Sequence, residues 1–322
     1  MGALLVAIPL TTGMFTKASA VDDLTDHLRP VFSDDALAQA DADMTTVEAM
    51  ASQLSGSAIP ALAEQFDATP EDFATKLGTD YPAVGAGMQQ LGTALPYFRS
   101  IVDGLKAEQH DFRLADAIPT KDLPAIVVPF LFLVPGLALA VLAAIGFRRR
   151  RVGLVLPVAI AVGAVLVGAP LLLSVPAKAQ AVDDLTDAFR PAFSDEGIAT
   201  TSSYLGGVHA MVEELTGKAI PGLADGLGMG ADEFGGFLGE HFPDVANGLG
   251  SIDEILGRFD GLTAAVAQNA TAFHRADSIP TSGTPTTLLH WLFEVPGIAL
   301  LLGGLAAIIL GRRRPTGGPE AA

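Results

Sequence analysis

The sequence contains no cysteine among its 322 residues. A disulfide framework, a thiolate-bound metal and a lipid anchor attached to cysteine are therefore excluded. Lysine is scarce as well, because 6 of the 19 basic residues are lysines and the other 13 are arginines. Together with abundant alanine, glycine and aspartate, this bias is typical of proteins from bacteria with GC-rich genomes.

Charge is missing from two long runs in the middle of the chain. Residues 124–147 and 152–175 form runs of 24 residues each without a charged side chain. At about 1.5 Å rise per residue, a helix of this length crosses a hydrocarbon core of roughly 30 Å. Four arginines at 148–151 separate the runs, and short arginine-rich loops stay on the cytoplasmic side of a membrane. We therefore predict a transmembrane hairpin with a cytoplasmic arginine loop.

Acidic residues are concentrated in two polar blocks that flank this hairpin. Residues 17–122 hold 18 Asp and Glu against 7 Lys and Arg, and residues 177–286 hold 16 against 5, so each block has a net charge of −11. Arginines at 148–151 and 312–314 lie at the opposite ends of the apolar runs. This positive-inside pattern predicts that both blocks are extracytoplasmic. Because nucleic acid needs a basic face, no nucleic-acid partner is expected.

The two polar blocks are copies of each other. The sequence VDDLTD at 21–26 recurs 161 residues later, at 182–187. We call this spacing of 161 residues the repeat offset, and residues that it relates are called counterparts. A gapless repeat of this kind predicts a tandem duplication of a unit made of span, helical outer domain and span. Both units then have the same orientation, which favours a pseudo-two-fold axis along the membrane normal. The same offset relates Arg29 to Arg190, Ile59 to Ile220, Phe73 to Phe234, Ile118 to Ile279 and Pro135 to Pro296.

The beginning of the chain has two interpretations. Residues 1–15 are apolar or uncharged but reach only about 22 Å as a helix, so we expect a first span at residues 1–16 whose start is truncated. The alternative is a signal peptide cleaved after Ala-Ser-Ala at 18–20, although signal peptides begin with positive charge and this stretch does not. The prediction is four spans, at 1–16, 124–147, 152–175 and 287–310, with residues 311–322 as a disordered cytoplasmic tail.

Helix signals dominate the polar blocks. Ser33 precedes an apolar pattern at spacings of three, four and seven over residues 37–54, and is predicted to be an N-cap. Thr69, followed by Pro70 and two acids, predicts another helix start with proline at the first helical position. Since no sustained strand-like alternation is present, both blocks are predicted to be all-α.

The repeated motif DDLTD is a candidate site. Its carboxylates belong to Asp22, Asp23 and Asp26 in the first block and to Asp183, Asp184 and Asp187 in the second. The pattern resembles the D-D-x-x-D motif that binds magnesium diphosphate in prenyl-transfer enzymes, and carboxylates one turn apart can share a hard cation. Those enzymes surround the motif with basic ligands, whereas only Arg29 is nearby here. We interpret the motif as a solvated acidic collar at the membrane exit, with weak divalent-cation binding as the alternative.

Polar residues mark the outer end of the last predicted span. His290 and Glu294 stand four residues apart with Trp291 between them. An ionisable residue within a span is a candidate for function, but tryptophan is typical of the membrane interface. We interpret the three residues as an interfacial anchor, with a functional site as the alternative.

Two Pro-Gly pairs recur inside the predicted spans, Pro135-Gly136 and Pro296-Gly297. Proline kinks a helix, and glycine lets another backbone approach closely. The pairs are therefore predicted to be kinks that serve helix packing, with a gating hinge as the alternative.

The sequence as a whole predicts a non-enzymatic, multi-pass protein of a bacterial cell membrane that acts as a scaffold or as a subunit of a larger assembly. Its expected partners are the lipid bilayer and a protein, either another protein or a second copy, bound through the outer blocks. No catalytic arrangement, metal site or cofactor motif is assigned. The alternative is a transporter or channel component with a pathway along the pseudo-axis. The near absence of charge from the spans disfavours that alternative.

Overall fold

The computed structural model describes residues 2–120, 123–149, 155–279 and 284–312. These residues are largely helical and contain no β-strand, which confirms the prediction of an all-α fold. Arg150 and Arg151 of the predicted arginine loop and residues 313–322 of the predicted tail lie outside the described ranges.

The first half of the chain ends with the long helix that precedes the arginines. Its helices are α1 (Gly2–Thr11), α2 (Met14–Leu28), α3 (Asp34–Gln53), α4 (Ile59–Gln65), α5 (Pro70–Asp80), α6 (Pro82–Ala107), α7 (Gln109–Asp116) and α8 (Val128–Arg149). A π-helical turn (Leu54–Ala58) joins α3 to α4, and a 3-10 turn (Ala125–Val127) leads into α8.

The second half repeats this order. Its helices are α9 (Val155–Leu172), α10 (Val175–Phe189), α11 (Asp195–Glu214), α12 (Ile220–Gly226), α13 (Ala231–His241), α14 (Pro243–Ala276) and α15 (Leu289–Arg312). The second π-helical turn (Leu215–Ala219) and the second 3-10 turn (Thr286–Leu288) begin at the positions that the repeat offset assigns to them. In the order of the described helices the halves differ in one place, because α14 continues where α6 and α7 are separate helices.

Both predicted helix starts in the first polar block are confirmed. The Ser33 side chain accepts a hydrogen bond from the backbone N–H of Ala36 and caps α3. The Thr69 side chain accepts one from the N–H of Asp72, and Pro70 is the first residue of α5. In each case the hydroxyl oxygen satisfies a backbone donor that has no partner within the helix.

The helices group into two compact units, and each unit contains segments of both halves. We call Met1–His27, His110–Phe189 and Thr271–Ala322 the apolar unit, and Leu28–Gln109 and Arg190–Ala270 the acidic unit. The acidic unit holds 24 acidic and 7 basic residues, which is the whole net charge of −17, whereas the apolar unit holds 12 of each. The sequence predicts two domains, one for each polar block. In the structure, most of both blocks belongs to one unit, because their apolar side chains form common clusters.

The core of the acidic unit is shared between the halves. One cluster joins Met44, Phe98 and Val102 of the first half to Leu205 and Ile255 of the second. Close approach depends on glycine at two matched places. A Cβ atom at Gly87 would collide with the side chain of Met211, and a Cβ atom at Gly248 would collide with that of Met50.

In the apolar unit, each long helix packs against the short helix of its own half. A Cβ atom at Gly136 of α8 would lie 2.9 Å from Cβ of Leu5 in α1. A Cβ atom at Gly297 of α15 would lie 2.8 Å from Cγ2 of Val167 in α9. Small residues at such contacts let two helix backbones approach closely.

Two helices are long and apolar enough to cross a membrane, Ala125–Ile145 and Thr286–Ile308. Two further stretches pass the same test as bent pairs, Gly2–Thr11 with Met14–Leu28 and Leu156–Leu172 with Val175–Phe189, each bent by 53°. The described residues therefore contain two spans by length and composition, or up to four if each bent pair is one span.

The bends fall where the backbone has a positive φ. Gly13 has a φ of +64° and Ser174, its counterpart, has a φ of +54°. This left-handed conformation ends a helix and suits glycine, whereas it is uncommon for serine. The spans predicted at 1–16 and 152–175 therefore each contain a break rather than one continuous helix.

Enlarging Gly297 is expected to destabilise the protein. In Gly297→Val, the new side chain overlaps α9, and overpacking of this kind costs about 1–3 kcal/mol. Gly303→Val is the control in the same helix, because a Cβ atom at Gly303 meets nothing within 4 Å. Thermal unfolding of the purified protein in detergent measures both. Equal losses in the two variants would show that helix propensity, and not the glycine contact, sets the stability of α15.

Candidate functional site

The first aspartate of each DDLTD motif binds the start of a long apolar helix. Asp22 accepts hydrogen bonds from the backbone N–H groups of Ala125 (2.6 Å) and Ile126 (3.1 Å). Asp183 accepts the equivalent bonds from Thr286 (2.6 Å) and Thr287 (3.0 Å). A carboxylate at this position satisfies free backbone donors and interacts favourably with the helix dipole. The motif thus ties α2 to the start of α8, and α10 to the start of α15.

The remaining aspartates of the motif take no part in this capping contact. Asp23, Asp26, Asp184 and Asp187 are exposed. Among the described residues, no group of three or more His, Cys, Asp or Glu side chains has the arrangement of a metal site. The acidic collar and weak cation binding both stay predictions.

A second capping interaction crosses between the halves inside the acidic unit. The Glu214 carboxylate accepts hydrogen bonds from the N–H groups of Ala83 (2.6 Å) and Val84 (3.1 Å) at the start of α6. Gln53, the counterpart of Glu214, accepts bonds from Asp244 (2.8 Å) and Val245 (3.0 Å) at the start of α14. Each half therefore supplies the cap for a long helix of the other half.

The electrostatics of Glu214 reflect this position. Partial burial disfavours its charged form, but the N–H groups of Val84 and Ala83 and the nearby Lys218 outweigh that effect, so the pKa of Glu214 lies below its ordinary value. A carboxylate that accepts backbone hydrogen bonds is stabilised in its ionised form.

A contact between an acidic and a basic residue type recurs at matched positions of the acidic unit with the two residue types exchanged. Arg99 binds Glu48 (2.6 Å) and Asp41 (2.7 Å). Asp260, the counterpart of Arg99, binds His209, the counterpart of Glu48, at 2.8 Å. The hydrogen bond with Glu48 raises the pKa of Arg99, and the hydrogen bond from Lys106, assisted by Arg99, lowers the pKa of Asp41.

Another difference between the halves is an ion pair whose carboxylate is buried. Asp43, whose side chain is 4% exposed, binds Arg258 through two hydrogen bonds of 2.6 and 2.7 Å. That hydrogen bonding raises the pKa of Arg258. The counterparts of these residues are Tyr204 and Tyr97, whose ring centroids are 5.2 Å apart. The ion pair borders a groove of about 300 Å³ in the acidic unit.

Two matched lysines join the halves in the apolar unit. Lys17 Nζ donates to the carbonyl of Ser278 at 2.7 Å. Lys178 Nζ donates to the carbonyls of Ala117 and Pro119, both at 2.7 Å. Each lysine therefore binds a segment near the end of the polar block of the other half.

The apolar unit also contains a cavity of about 330 Å³ beside Lys178. Its walls come from α8, α9 and α10, with Phe293 of α15. Leu173, which also lines the cavity, is adjacent to the break at Ser174. All other lining side chains besides Lys178 and Thr286 are apolar. Such volume and lining fall in the range of small-molecule sites, roughly 300–1,000 Å³.

The residues predicted as an anchor lie together at the start of α15. His290 Nδ1 contacts the carbonyl oxygen of Thr287, and its ring lies 4.9 Å from that of Trp291. Trp291 is half exposed and Glu294 is half buried. This places an aromatic side chain and two polar ones within one turn of each other, and both the anchor and the functional site stay predictions.

The helices continue through both predicted kinks. Pro135 lies inside α8 and Pro296 lies inside α15, while the described bends of 53° lie at Gly13 and Ser174. A kink at either proline stays a prediction.

Comparison with known proteins gives no match among protein-family models, curated proteins or solved structures. The function is therefore argued from the residues alone.

Sequence reasoning missed the contacts that link the halves, because Glu214 and Ala83 lie 131 positions apart and no local pattern relates them. A comparison of the two copies offered a signal for the ion pair, since Asp43 and Arg258 stand where the other copy has tyrosines. No such signal marked Gln53, because glutamine and glutamate are common on helix surfaces.

Removing the Asp183 cap is expected to destabilise the protein. Asp183→Ala leaves the N–H groups of Thr286 and Thr287 without their carboxylate, which costs about 1 kcal/mol. The control Asp184→Ala removes an exposed neighbour and should change the free energy of unfolding by less than about 0.5 kcal/mol. Thermal unfolding with and without Mg²⁺ measures both. Mg²⁺ stabilisation that depends equally on both aspartates would instead support cation binding.

The Glu214 cap is expected to make stability depend on pH. Because the pKa is lowered in the folded state, the charged cap stabilises the protein above the ordinary glutamate value of 4.5, and this contribution is lost as the pH falls through the lowered pKa. Glu214→Gln keeps an oxygen acceptor, as Gln53 does, but removes the charge. The melting temperature of the wild type should exceed that of this variant near neutral pH, and the two should converge in acid. Glu213→Gln, at an exposed neighbour, is the control; a similar loss there would show a general charge effect.

The contribution of the ion pair to stability can be tested by introducing the residues that stand at the matched positions of the other half. Arg258→Tyr leaves the buried Asp43 carboxylate without its cation, and breaking such a pair costs about 3 kcal/mol. The double variant Asp43→Tyr/Arg258→Tyr recreates the Tyr97–Tyr204 pair and should recover most of that loss. A double-mutant cycle on unfolding free energies measures the coupling. A double variant less stable than the single one would show that the matched sites do not share a packing geometry.

Proposed function

We propose that this chain is a tandem duplication in which two copies of one unit are wound together. The support is the recurrence of helix bounds, turns and side-chain contacts at the single offset that the repeated sequence defines. The capping pairs formed by Asp22 and Asp183, and by Gln53 and Glu214, recur at that offset, as do the positive φ angles of Gly13 and Ser174.

We propose further that the protein is a multi-pass protein of a bacterial cell membrane with four spans, two of them broken. Every large apolar side chain that is exposed in the described ranges belongs to the apolar unit. Such a surface is unfavourable in water and is suited to lipid. Arginine at 148–151 and 312–314 favours a cytoplasmic location for those segments, and hence an extracytoplasmic location for the acidic unit.

The function that these features support best is a non-enzymatic scaffold, or a subunit of a larger assembly, that presents the acidic unit to a partner. The observation that carries this proposal is the distribution of net charge between the two units. The acidic unit holds the whole net charge of −17. A surface of this kind steers association with a basic partner and opposes contact between two copies of itself. We therefore favour a protein with a basic surface over a second copy of the chain.

The apolar lining of the cavity in the apolar unit is a reason to prefer a scaffold to a conduit. Selectivity filters and transport sites replace the hydration shell of an ion with carbonyl oxygens or charged side chains. The cavity offers one ammonium group, one threonine hydroxyl and otherwise hydrocarbon side chains, which suit an apolar ligand better than an ion in transit.

Topology is tested with single cysteines, which the cysteine-free chain makes unambiguous. Glu64→Cys and Asp225→Cys are exposed, matched positions of the acidic unit. Both should react with an impermeant thiol reagent in intact cells, whereas Arg149→Cys should react only after the membrane is permeabilised. Labelling of Arg149→Cys alone would contradict the proposed orientation.

The same two cysteines test partner binding. A cross-linker attached at Glu64→Cys or Asp225→Cys should capture the same protein, and the yield should fall steeply with added salt. Neutralising the exposed acids Glu71, Asp72, Asp232 and Glu233 should reduce the yield several-fold, while neutralising Asp23 and Asp184 in the apolar unit should not. A partner captured equally well by the neutralised variant, or only a second copy of the chain, would contradict a scaffold for a basic protein.

A further inference from the structure

The cavity beside Lys178 lies between α8 of the first half and α9 and α10 of the second half, and several of its lining residues differ from those at the matched positions. Three of its lining positions carry side chains smaller than those of the first half: Val165 corresponds to Leu4, Ala169 to Ile8, and Val175 to Met14. In the first half, Leu5 and Met14 are buried and pack with Ile8 in the core of the apolar unit. At these three positions the second half therefore has smaller side chains, and they lie near the break at Ser174.

The cavity opens onto the apolar surface of the protein. Phe130, Val134 and Val165 line it and are 45%, 60% and 56% exposed. In the proposed membrane location, these side chains face hydrocarbon, so the surrounding solvent is lipid acyl chain and not water. A cavity with an apolar wall and an apolar opening is suited to a single chain of this kind.

One cation lies at the end of the cavity. Lys178 Nζ uses two of its three N–H donors for the carbonyls of Ala117 and Pro119, and Pro119 also borders the cavity. The ammonium group therefore has a donor left for an anion. Lys178 lies four residues after the break, at the boundary between the apolar run and the polar block, where headgroups lie.

We propose that this cavity binds one acyl chain of an anionic phospholipid, with the phosphate of its headgroup at Lys178. The proposal rests on the membrane location proposed above. The apolar walls take the chain, the exposed rim admits it from the bilayer, and the lysine selects a negatively charged headgroup. The lipid would fill the space that Ile8 and Met14 fill in the first half, and would support the broken span.

The test measures lipid bound to the full-length protein. Delipidated protein in detergent is titrated with phosphatidylglycerol or phosphatidylcholine and examined by native mass spectrometry. The wild type should retain one phosphatidylglycerol molecule with at least tenfold preference over phosphatidylcholine. Equal binding of the two lipids, or retention of free fatty acid only, would overturn the proposal.

Two variants locate the site. Val165→Leu/Ala169→Ile/Val175→Met installs the residues of the first half and should lower the affinity for phosphatidylglycerol at least tenfold. Lys178→Gln should reduce the preference for phosphatidylglycerol several-fold, while the matched control Lys17→Gln should not. If the filled variant unfolds, the Lys178 and Lys17 variants still decide the question. Unchanged binding in the filled variant, or equal effects of the two lysine variants, would overturn the proposal.

Failure of this inference can be distinguished from failure of the proposed function. Protein that remains in membranes after alkaline carbonate washing but retains no phosphatidylglycerol overturns the lipid site alone. Protein released by carbonate overturns the membrane location, and with it both proposals.

Discussion

Reciprocal contact between the two halves is the constraint on which the structure of the acidic unit depends. In each half, one helix of the acidic unit is capped at its start by a side chain of the other half. Glu214 caps α6, and Gln53 caps α14. The same two interfaces need glycine, because the side chains of Met211 and Met50 lie against Gly87 and Gly248. Neither polar block buries its apolar residues alone, since the main cluster draws on both. The two halves consequently share one core in the acidic unit.

The two halves differ at matched positions while keeping this framework. Where one copy packs Tyr97 against Tyr204, the other places Arg258 and Asp43. In the apolar unit, Ala169 and Val175 leave a cavity where the counterparts are Ile8 and Met14. Because the backbones of the two halves match, one half can keep apolar packing at a position where the other half has a charged side chain or borders a cavity. Such positions are where a function of one copy alone would reside.

Much of the fold could be predicted from the sequence. The recurring order of helices, the helix starts at Ser33 and Thr69 and the apolar helices all follow from patterns legible in the chain. Neither break was predicted. A glycine stands at the first break, Gly13, but a serine stands at the second, Ser174, and serine rarely adopts a positive φ.

The candidate site was less predictable. The role of Asp22 as a helix cap could not be predicted, since the capped N–H groups lie 103 positions away. Interactions between distant segments depend on packing that no local spacing encodes, and the grouping of both polar blocks in one unit is of this kind.

The shared core is tested most directly by disulfide formation between the halves. Cysteines introduced as pairs at Gly87 and Met211, and at Gly248 and Met50, have their Cβ atoms closer together than the roughly 3.8 Å of a disulfide. After a small displacement of the helices, both pairs should oxidise within one chain and to similar extents. A cysteine at Gly92, where a Cβ atom meets nothing within 4 Å, should not bridge to Met211→Cys. Intramolecular bridges in both matched pairs are the predicted result. Bridges only between chains, or none in either pair, would contradict a core that the two halves build together.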